Sequence, residues 1–272
     1  MRIYFKIVLS IIMLTVFGIA SILMYKPALS EEQALTMVYG NYDNTNKYAH
    51  WTNIPFPDNE AISGYFKERK GFVKTISLQP YYENGKNKVF LLTKTIPTNM
   101  SFDCHACLPL IGAAVFVEKN RHWEIEAQNL FIMYDGEYGE LPTVKLIQVG
   151  QDKFGLSLEF GHIVVRDKEL SILIPYNKNI TQAHQEIVYY ENFNDCEYSK
   201  SIQCEAYTAN VSFIKSAKEA YYDLNVKKFG TIYSERRNKN MPVEETITYK
   251  FINGKYNKTH HTGSSYIENT EN

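Results

Sequence analysis

Cys104 and Cys107, with His105 between them, form the motif in this chain whose residue types and spacing could carry chemistry. A C-x-x-C pair can exchange electrons with a substrate disulfide when a nearby positive charge stabilises one thiolate, and a protonated histidine can supply that charge. One cysteine would attack the substrate disulfide, and the other would then resolve the mixed disulfide. The motif therefore predicts, as one of two candidate functions, a thiol–disulfide oxidoreductase.

The residues around this motif favour a plain structural disulfide instead. A thioredoxin-type pair opens a helix, whereas the segment after Cys107 leads into the apolar, strand-like run 113–117. Leucine at position 108 excludes the covalent haem motif, which needs histidine there. A zinc site would need all four cysteines of the chain, but the seven residues between Cys196 and Cys204 are an unusual ligand spacing. We therefore predict no cofactor and no metal.

In an oxidising compartment the four cysteines should form two disulfides, for which three pairings exist. We expect the local pairing, Cys104 with Cys107 and Cys196 with Cys204. The second of these bonds would close a short loop that could join two neighbouring strands. Closing so short a loop stabilises a fold by about 2 to 3 kcal/mol.

An apolar segment near the N-terminus predicts that the chain leaves the cytoplasm. Residues 7–25 carry no charge and follow the basic residues Arg2 and Lys6, which is the order of an export signal. A helix of this length reaches roughly 28 Å, close to the hydrocarbon thickness of a bilayer. The positive charges before the run favour an N-terminus in the cytoplasm, with the rest of the chain outside.

Two fates of this segment remain open. The small residues Ala28 and Ser30 suit cleavage by a signal peptidase before Glu31. An uncleaved membrane anchor is favoured by the length of the apolar run, which exceeds that of usual signal peptides, and by Lys26 directly after it. In both cases we expect an exported protein, either tethered to the membrane or released from it.

The composition of the remaining chain excludes several classes of function. Beyond residue 26, acidic residues outnumber basic ones by 30 to 26, and the basic residues are scattered, so we expect no nucleic-acid partner. Motifs of serine hydrolases, P-loops, dinucleotide-binding folds and H-E-x-x-H metalloproteases are missing from the sequence. A binding protein is therefore a better hypothesis than an enzyme.

Hydrophobic periodicity predicts strands along most of the chain. The run 154–160 alternates Phe or Leu with small or polar residues, which is the period of a half-buried strand. The turn pairs Asn84-Gly85 and Asn253-Gly254 suit type I′ hairpins. The predicted strands are 88–95, 111–118, 123–133, 143–149, 154–160, 170–175, 187–190, 207–214, 220–226 and 246–252. Short connections leave no room for crossover helices, so the strands should be antiparallel.

Helices are predicted only near the N-terminus. Ser30 and Gln33 fit a capping box at the start of a short helix that Gly40 ends, and a weaker helix is predicted at Glu60–Lys70. The fold class is therefore mainly β, with one or two short N-terminal helices. Antiparallel sheets could form a sandwich, a barrel or part of a propeller.

The predicted organisation has three parts. Residues 1–30 form the signal peptide or anchor, 31–259 a single β-rich exported domain, and 260–272 a polar C-terminal tail that contains His260 and His261. The absence of a linker or repeat favours one domain.

Tyrosine is abundant, with 21 residues and three adjacent pairs, Tyr81-Tyr82, Tyr189-Tyr190 and Tyr221-Tyr222. Strand propensity explains most of this enrichment, but exposed rings could also stack on a sugar. In each pair one ring should point inward and the other outward, because side chains alternate across a strand. The favoured function is a non-enzymatic exported protein that binds a protein or glycan partner.

One segment of about 54 residues contains Asp103-Cys104-His105-Ala106-Cys107, Gly112-Ala113-Ala114-Val115-Phe116, Trp123, Gly136, Gly139, Pro142, Val149-Gly150, Asp152 and Phe154-Gly155-Leu156. Through these residues the segment resembles uncharacterised exported proteins of Gram-negative bacteria. The resemblance implies a non-enzymatic envelope protein in the periplasm, either tethered to the inner membrane or released from it, and no particular activity.

Overall fold

The computed structural model describes residues 28–54, 68–98, 109–134, 141–162, 167–193, 196, 204–234 and 237–264. Within these ranges the chain forms one helix and fourteen strands. The elements are α1 (Glu31–Tyr39), β1 (Tyr42–Asp43), β2 (Tyr48–Thr52), β3 (Lys70–Glu83), β4 (Lys86–Pro97), β5 (Leu110–Lys119), β6 (His122–Tyr134), β7 (Thr143–Gly150), β8 (Lys153–His162), β9 (Asp167–Tyr176), β10 (Asn179–Glu191), β11 (Ala206–Ile214), β12 (Asp223–Ser234), β13 (Lys239–Ile252) and β14 (Lys255–Ser264).

The strands form two antiparallel sheets in which each strand pairs with its neighbours in the sequence. The first sheet contains β1 to β6 in that order, and the second contains β7 to β14 in that order. The predicted mainly β, antiparallel fold class is therefore confirmed. The arrangement is sandwich-like, and in the described part of the chain neither sheet closes into a barrel.

Two of the hairpin turns have the predicted conformation. Asn84 and Gly85 have φ angles of 50° and 77°, and Asn253 and Gly254 have φ angles of 51° and 89°. A type I′ turn needs positive φ at both central residues, which asparagine and glycine tolerate best. These turns fix the registers of the β3–β4 and β13–β14 hairpins.

Helix α1 begins with the predicted capping box. The backbone N–H of Gln33 donates to Ser30 Oγ and the backbone N–H of Ser30 donates to Gln33 Oε1, both at 3.2 Å. The second predicted helix, Glu60–Lys70, lies outside the described residues except for 68–70, and Lys70 already belongs to β3.

Strand β4 lies at the centre of the first sheet and is buried on both faces. Val89 and Leu91 belong to a helix-side core, in which the first sheet packs against Leu29, Ala34 and Leu35. The alternate residues of β4 belong to an inter-sheet core, in which the opposite face of the first sheet packs against β7, β8 and β9. This core contains Phe90, Leu92, Ile111, Ala113, Val115, Ala127, Leu156, Leu158, Phe160, Leu173 and Ile180.

The second sheet folds back on itself and encloses a further core. Strands β11 to β14 cross over the face of β7 to β10 that the first sheet leaves uncovered. The buried residues of this fold-back core are Val149, Ile172, Ile174, Ala183, Ala209, Leu224, Val226 and Tyr256. Two contacts close it: the N–H of Tyr222 donates to Val149 O at 2.9 Å, and Thr181 Oγ1 donates to Gly254 O at 2.8 Å.

The C-terminal strand extends into the segment that the sequence assigns to a polar tail. Strand β14 runs to Ser264, so residues 260–264 are part of the sheet. His261 explains the extension, because its register partner is Ile247 and its ring lies against Glu245. Residues 265–272 lie outside the described ranges.

No helix within the described ranges is long and apolar enough to cross a membrane. The predicted apolar segment, residues 7–25, lies outside them.

The backbone of Gly150, at the end of β7, lies very close to the backbone of Ala220 at the edge of the fold-back core. A Cβ atom there would lie 2.2 Å from the backbone oxygen of Ala220. We expect Gly150→Ala to lower the free energy of unfolding by about 1 to 3 kcal/mol, because overpacking forces the backbone to shift. Urea unfolding measures this. Gly161→Ala in β8 is the control, because no atom lies within 4 Å of the added Cβ, and equal losses in both variants would contradict the packing argument.

Candidate binding cleft

The structure tests only one of the two predicted cysteine pairs, Cys196 with Cys204. Cys104, His105 and Cys107 lie outside the described residues, so both their pairing and their activity stay predictions. Cys196 and Cys204 form a disulfide with a Cα–Cα distance of 5.1 Å, as predicted. This bond closes the loop that connects β10 to β11.

Asn192 holds the two strands together where this loop begins. Its backbone oxygen accepts a hydrogen bond from the N–H of Cys196 at 3.1 Å, and its Oδ1 accepts one from the N–H of Glu205 at 2.6 Å. Its own N–H donates to Glu205 O at 3.2 Å. The disulfide and Asn192 therefore fix β10 and β11 side by side at one end.

Beyond this fixed end the two strands separate. Strand β10 pairs with β11 only through Tyr189–Glu191 and Ala206–Thr208, although β11 pairs with β12 along all of its nine residues. Register shifts in β10, between Gln182 and His184 and between Ile187 and Tyr189, accompany the separation, and such bulges bend a strand. Among the described strands, residues 209–214 thus have a paired neighbour only on the β12 side.

A cleft of about 740 Å³ lies between this edge of β11 and the face of β7, β8 and β9. Apolar side chains line much of it, among them Ile147, Leu170 and Val188. Glu159 and Lys168 also line it and form an ion pair with an Oε1–Nζ distance of 3.5 Å. The volume lies within the range of known ligand sites, and the mixture of apolar walls with few polar groups is typical of them.

Stacked tyrosines lie where β10 and β11 are still paired. The rings of Tyr190 and Tyr207 stack with their centroids 5.5 Å apart. Burial raises the pKa of Tyr207 to about 12, and the negative charge of Glu186 adds to this effect. Tyr207 is therefore a neutral hydroxyl at every physiological pH.

The adjacent tyrosines differ in burial, and their role in binding a glycan stays a prediction. Tyr82 is 64% exposed and Tyr81 is half-buried, which matches the predicted alternation. Tyr222 is buried and Tyr221 stacks on Phe251, and both precede β12, so strand alternation does not apply to them.

A group of largely buried charged side chains joins β10, β12, β13 and β14, and no sequence motif marks it. Lys228 Nζ lies 2.7 Å from Glu186 Oε1, and His184 Nε2 lies 3.8 Å from Glu186 Oε2. A second pair joins His261 Nε2 and Glu245 Oε2 at 2.8 Å. These residues come from four strands, so only the alternation of His184 and Glu186 along β10 could have indicated them. No group of metal-ligating side chains suited to a metal ion occurs among the described residues.

His184 is neutral in this environment. Burial lowers its pKa to about 4, and the positive charge of Lys228 contributes to this shift. The ring packs edge-to-face against Tyr249 at a centroid distance of 4.8 Å. Its Nε2 atom is buried without a hydrogen-bond partner in the described structure.

Comparisons with protein-family models, with curated proteins and with solved structures find no match to this chain. The resemblance to exported bacterial proteins therefore stays a prediction. The cleft combines an unpaired strand edge, an apolar floor and one ion pair, which suits binding.

The depressed pKa of His184 makes stability depend on pH. In the unfolded chain the ring binds a proton below about pH 6.5, but in the folded protein only below about 4. The contribution of His184 to the free energy of unfolding should therefore be fully present above pH 6.5. It should decrease as the pH falls to 4, by about 3 kcal/mol at most. Urea unfolding at several pH values measures this. His184→Phe should remove most of the dependence in this window, and an unchanged dependence would refute the assignment.

The Cys196–Cys204 disulfide should stabilise the fold by constraining the unfolded chain. The double variant Cys196→Ser/Cys204→Ser should lose about 2 to 3 kcal/mol of unfolding free energy, since the closed loop is short. Urea unfolding without reductant gives the difference. Mass spectrometry of the unreduced wild type provides the control, because the peptides of Cys196 and Cys204 must be found linked. A variant as stable as the wild type would contradict a stabilising role.

Proposed function

We propose that this chain is a non-enzymatic protein of the bacterial envelope that binds an extended segment of a partner protein in the cleft beside β11. The observation that carries the proposal is the unpaired edge of residues 209–214, which lies over the partly apolar face of β7 to β9. Such an edge presents backbone N–H and C=O groups that a further strand can pair with. Recognition by strand addition uses this arrangement.

The length and lining of the cleft define the segment that fits it. Six residues of β11 offer an edge of roughly 20 Å, enough for a strand of similar length. Alternate side chains of the added strand would point toward Ile147, Leu170 and Val188 and should be apolar. The Glu159–Lys168 ion pair can accept one charged side chain of either sign. Backbone pairing would give affinity, and the apolar floor would select the segment.

The N-terminal region supports export with the apolar segment retained as an anchor. Leu29 is 5% exposed and packs in the helix-side core, and Ser30 caps α1. Cleavage before Glu31 would remove both, so the folded domain depends on residues that a signal peptidase would separate from it. The Cys196–Cys204 disulfide agrees with an oxidising compartment. An inner-membrane anchor with the domain in the periplasm is the localisation that we propose.

Site-specific photo-cross-linking in the native envelope tests the cleft. A photoreactive phenylalanine analogue at Leu170, on the cleft floor, should form an adduct with one protein segment. The same analogue at Phe229, which is 48% exposed on β12, is the control and should not form this adduct. A synthetic peptide of the captured segment should then slow hydrogen exchange of the β11 amides at 209–214 by about tenfold or more.

Leu170→Gln should weaken binding of that peptide by about tenfold or more because it places an amide on the apolar floor, whereas Phe229→Gln should leave the affinity unchanged. An adduct between a glycan and the analogue at Leu170 would contradict the proposed protein partner and indicate a sugar ligand instead. Peptide binding without protection of β11 would refute strand addition.

A further inference from the structure

A second, mostly apolar groove lies at the hairpin end of the first sheet, remote in sequence from the strands that form the binding cleft. It has a volume of about 600 Å³ and is lined by Leu78, Pro80, Tyr82 and Trp123 together with Ala28. Tyr82 is 64% exposed. Trp123 is half-buried and packs against the helix-side core. The groove therefore combines the two aromatic residue types that favour a membrane–water interface.

The position of Ala28 connects this groove to the apolar segment. Only Lys26 and Pro27 separate Ala28 from the last residue of the segment, Tyr25. Three residue steps span about 11 Å at most. The headgroup region adds roughly 5 to 8 Å to each side of the hydrocarbon core. If residues 7–25 span the membrane, the chain length alone holds the groove at or just above the headgroups.

The charges around the groove are mixed: Lys88 and Glu118 line it, and the neighbouring turns add exposed cations. The β3–β4 and β5–β6 hairpin turns at this end of the sheet present the exposed side chains of Lys86 and Arg121. Cations close to an anionic membrane surface favour binding to it. Lys26 adds a further positive charge between the apolar segment and the domain.

We propose that the hairpin end of the first sheet rests on the outer surface of the membrane that holds the chain. The partner is a phospholipid bilayer: Tyr82 and Trp123 lie at headgroup depth, and Lys86 and Arg121 face lipid phosphates. The inference rests on the proposed anchor and adds a fixed orientation of the domain on the bilayer. Because the orientation is set by the first sheet, it is independent of the occupant of the binding cleft.

Tryptophan fluorescence tests this orientation, because the chain contains two tryptophans in different surroundings. Trp51 is 9% exposed in the helix-side core, whereas Trp123 lines the groove. The full chain is reconstituted into vesicles of phosphatidylcholine and phosphatidylglycerol, with or without bromine on the acyl chains near the headgroups. In Trp51→Phe, which reports Trp123, brominated lipid should reduce emission about twofold. In Trp123→Phe, which reports Trp51, emission should not change.

Further variants and a flotation assay separate the possible failures. Lys86→Glu/Arg121→Glu should reduce the quenching of Trp123 in vesicles that contain phosphatidylglycerol. If the full chain does not float with the vesicles, the anchor fails, and this inference fails with it. If the chain floats but Trp123 is quenched no more than Trp51, the anchor stands and the proposed orientation is overturned. If Trp51→Phe does not fold, the wild type and Trp123→Phe are compared instead. Quenching by brominated lipid in the wild type that disappears in Trp123→Phe also assigns the contact to Trp123.

Discussion

Within each of the two sheets, every described strand pairs only with strands adjacent to it in the sequence, and the burial of apolar residues depends on this constraint. A meander of this kind has no crossover connections that could cover its faces with helices. The first sheet gains two covered faces because α1 packs on one and β7 to β9 on the other. The second sheet can cover its remaining face only with its own later strands, so it bends between β10 and β11.

This bend has two physical consequences. The first is an unpaired edge along residues 209–214, because strands that separate cannot continue their ladder. Exposed edges promote association with other chains unless they are shielded or used, and the proposed binding role would use this one. The second is a set of buried charges, since Lys228 on β12 folds onto Glu186 on β10. Buried ion pairs contribute little net stability, but removing one partner leaves an uncompensated charge, so the pair disfavours other arrangements of the two halves.

The sequence predicts those parts of the fold that depend on local patterns. The alternation in 154–160 and the Asn-Gly turns identify β8 and two hairpins, since period-two burial and positive φ leave direct signals. The capping box at Ser30 identifies α1 for the same reason. By contrast, the sequence predicts no strand over β3, which contains Pro80. Proline is tolerated in a strand only where its nitrogen faces no hydrogen-bond partner. The short β2 reaches only Lys70 to Val73 of β3, which leaves Pro80 at an edge.

The binding cleft and the buried charges depend on which strands approach after the second sheet has folded back. His184, Lys228, Glu245 and His261 occupy four different strands, and no spacing in the sequence links them. What the sequence does supply is the disulfide, because two cysteines with seven residues between them suit a loop that joins adjacent strands. That bond holds β10 and β11 together at one end, while the bulges of β10 bend the strand away beyond it. The disulfide thus determines where β10 and β11 begin to separate. For this reason the sequence indicates the closed end of the cleft but not the cleft itself.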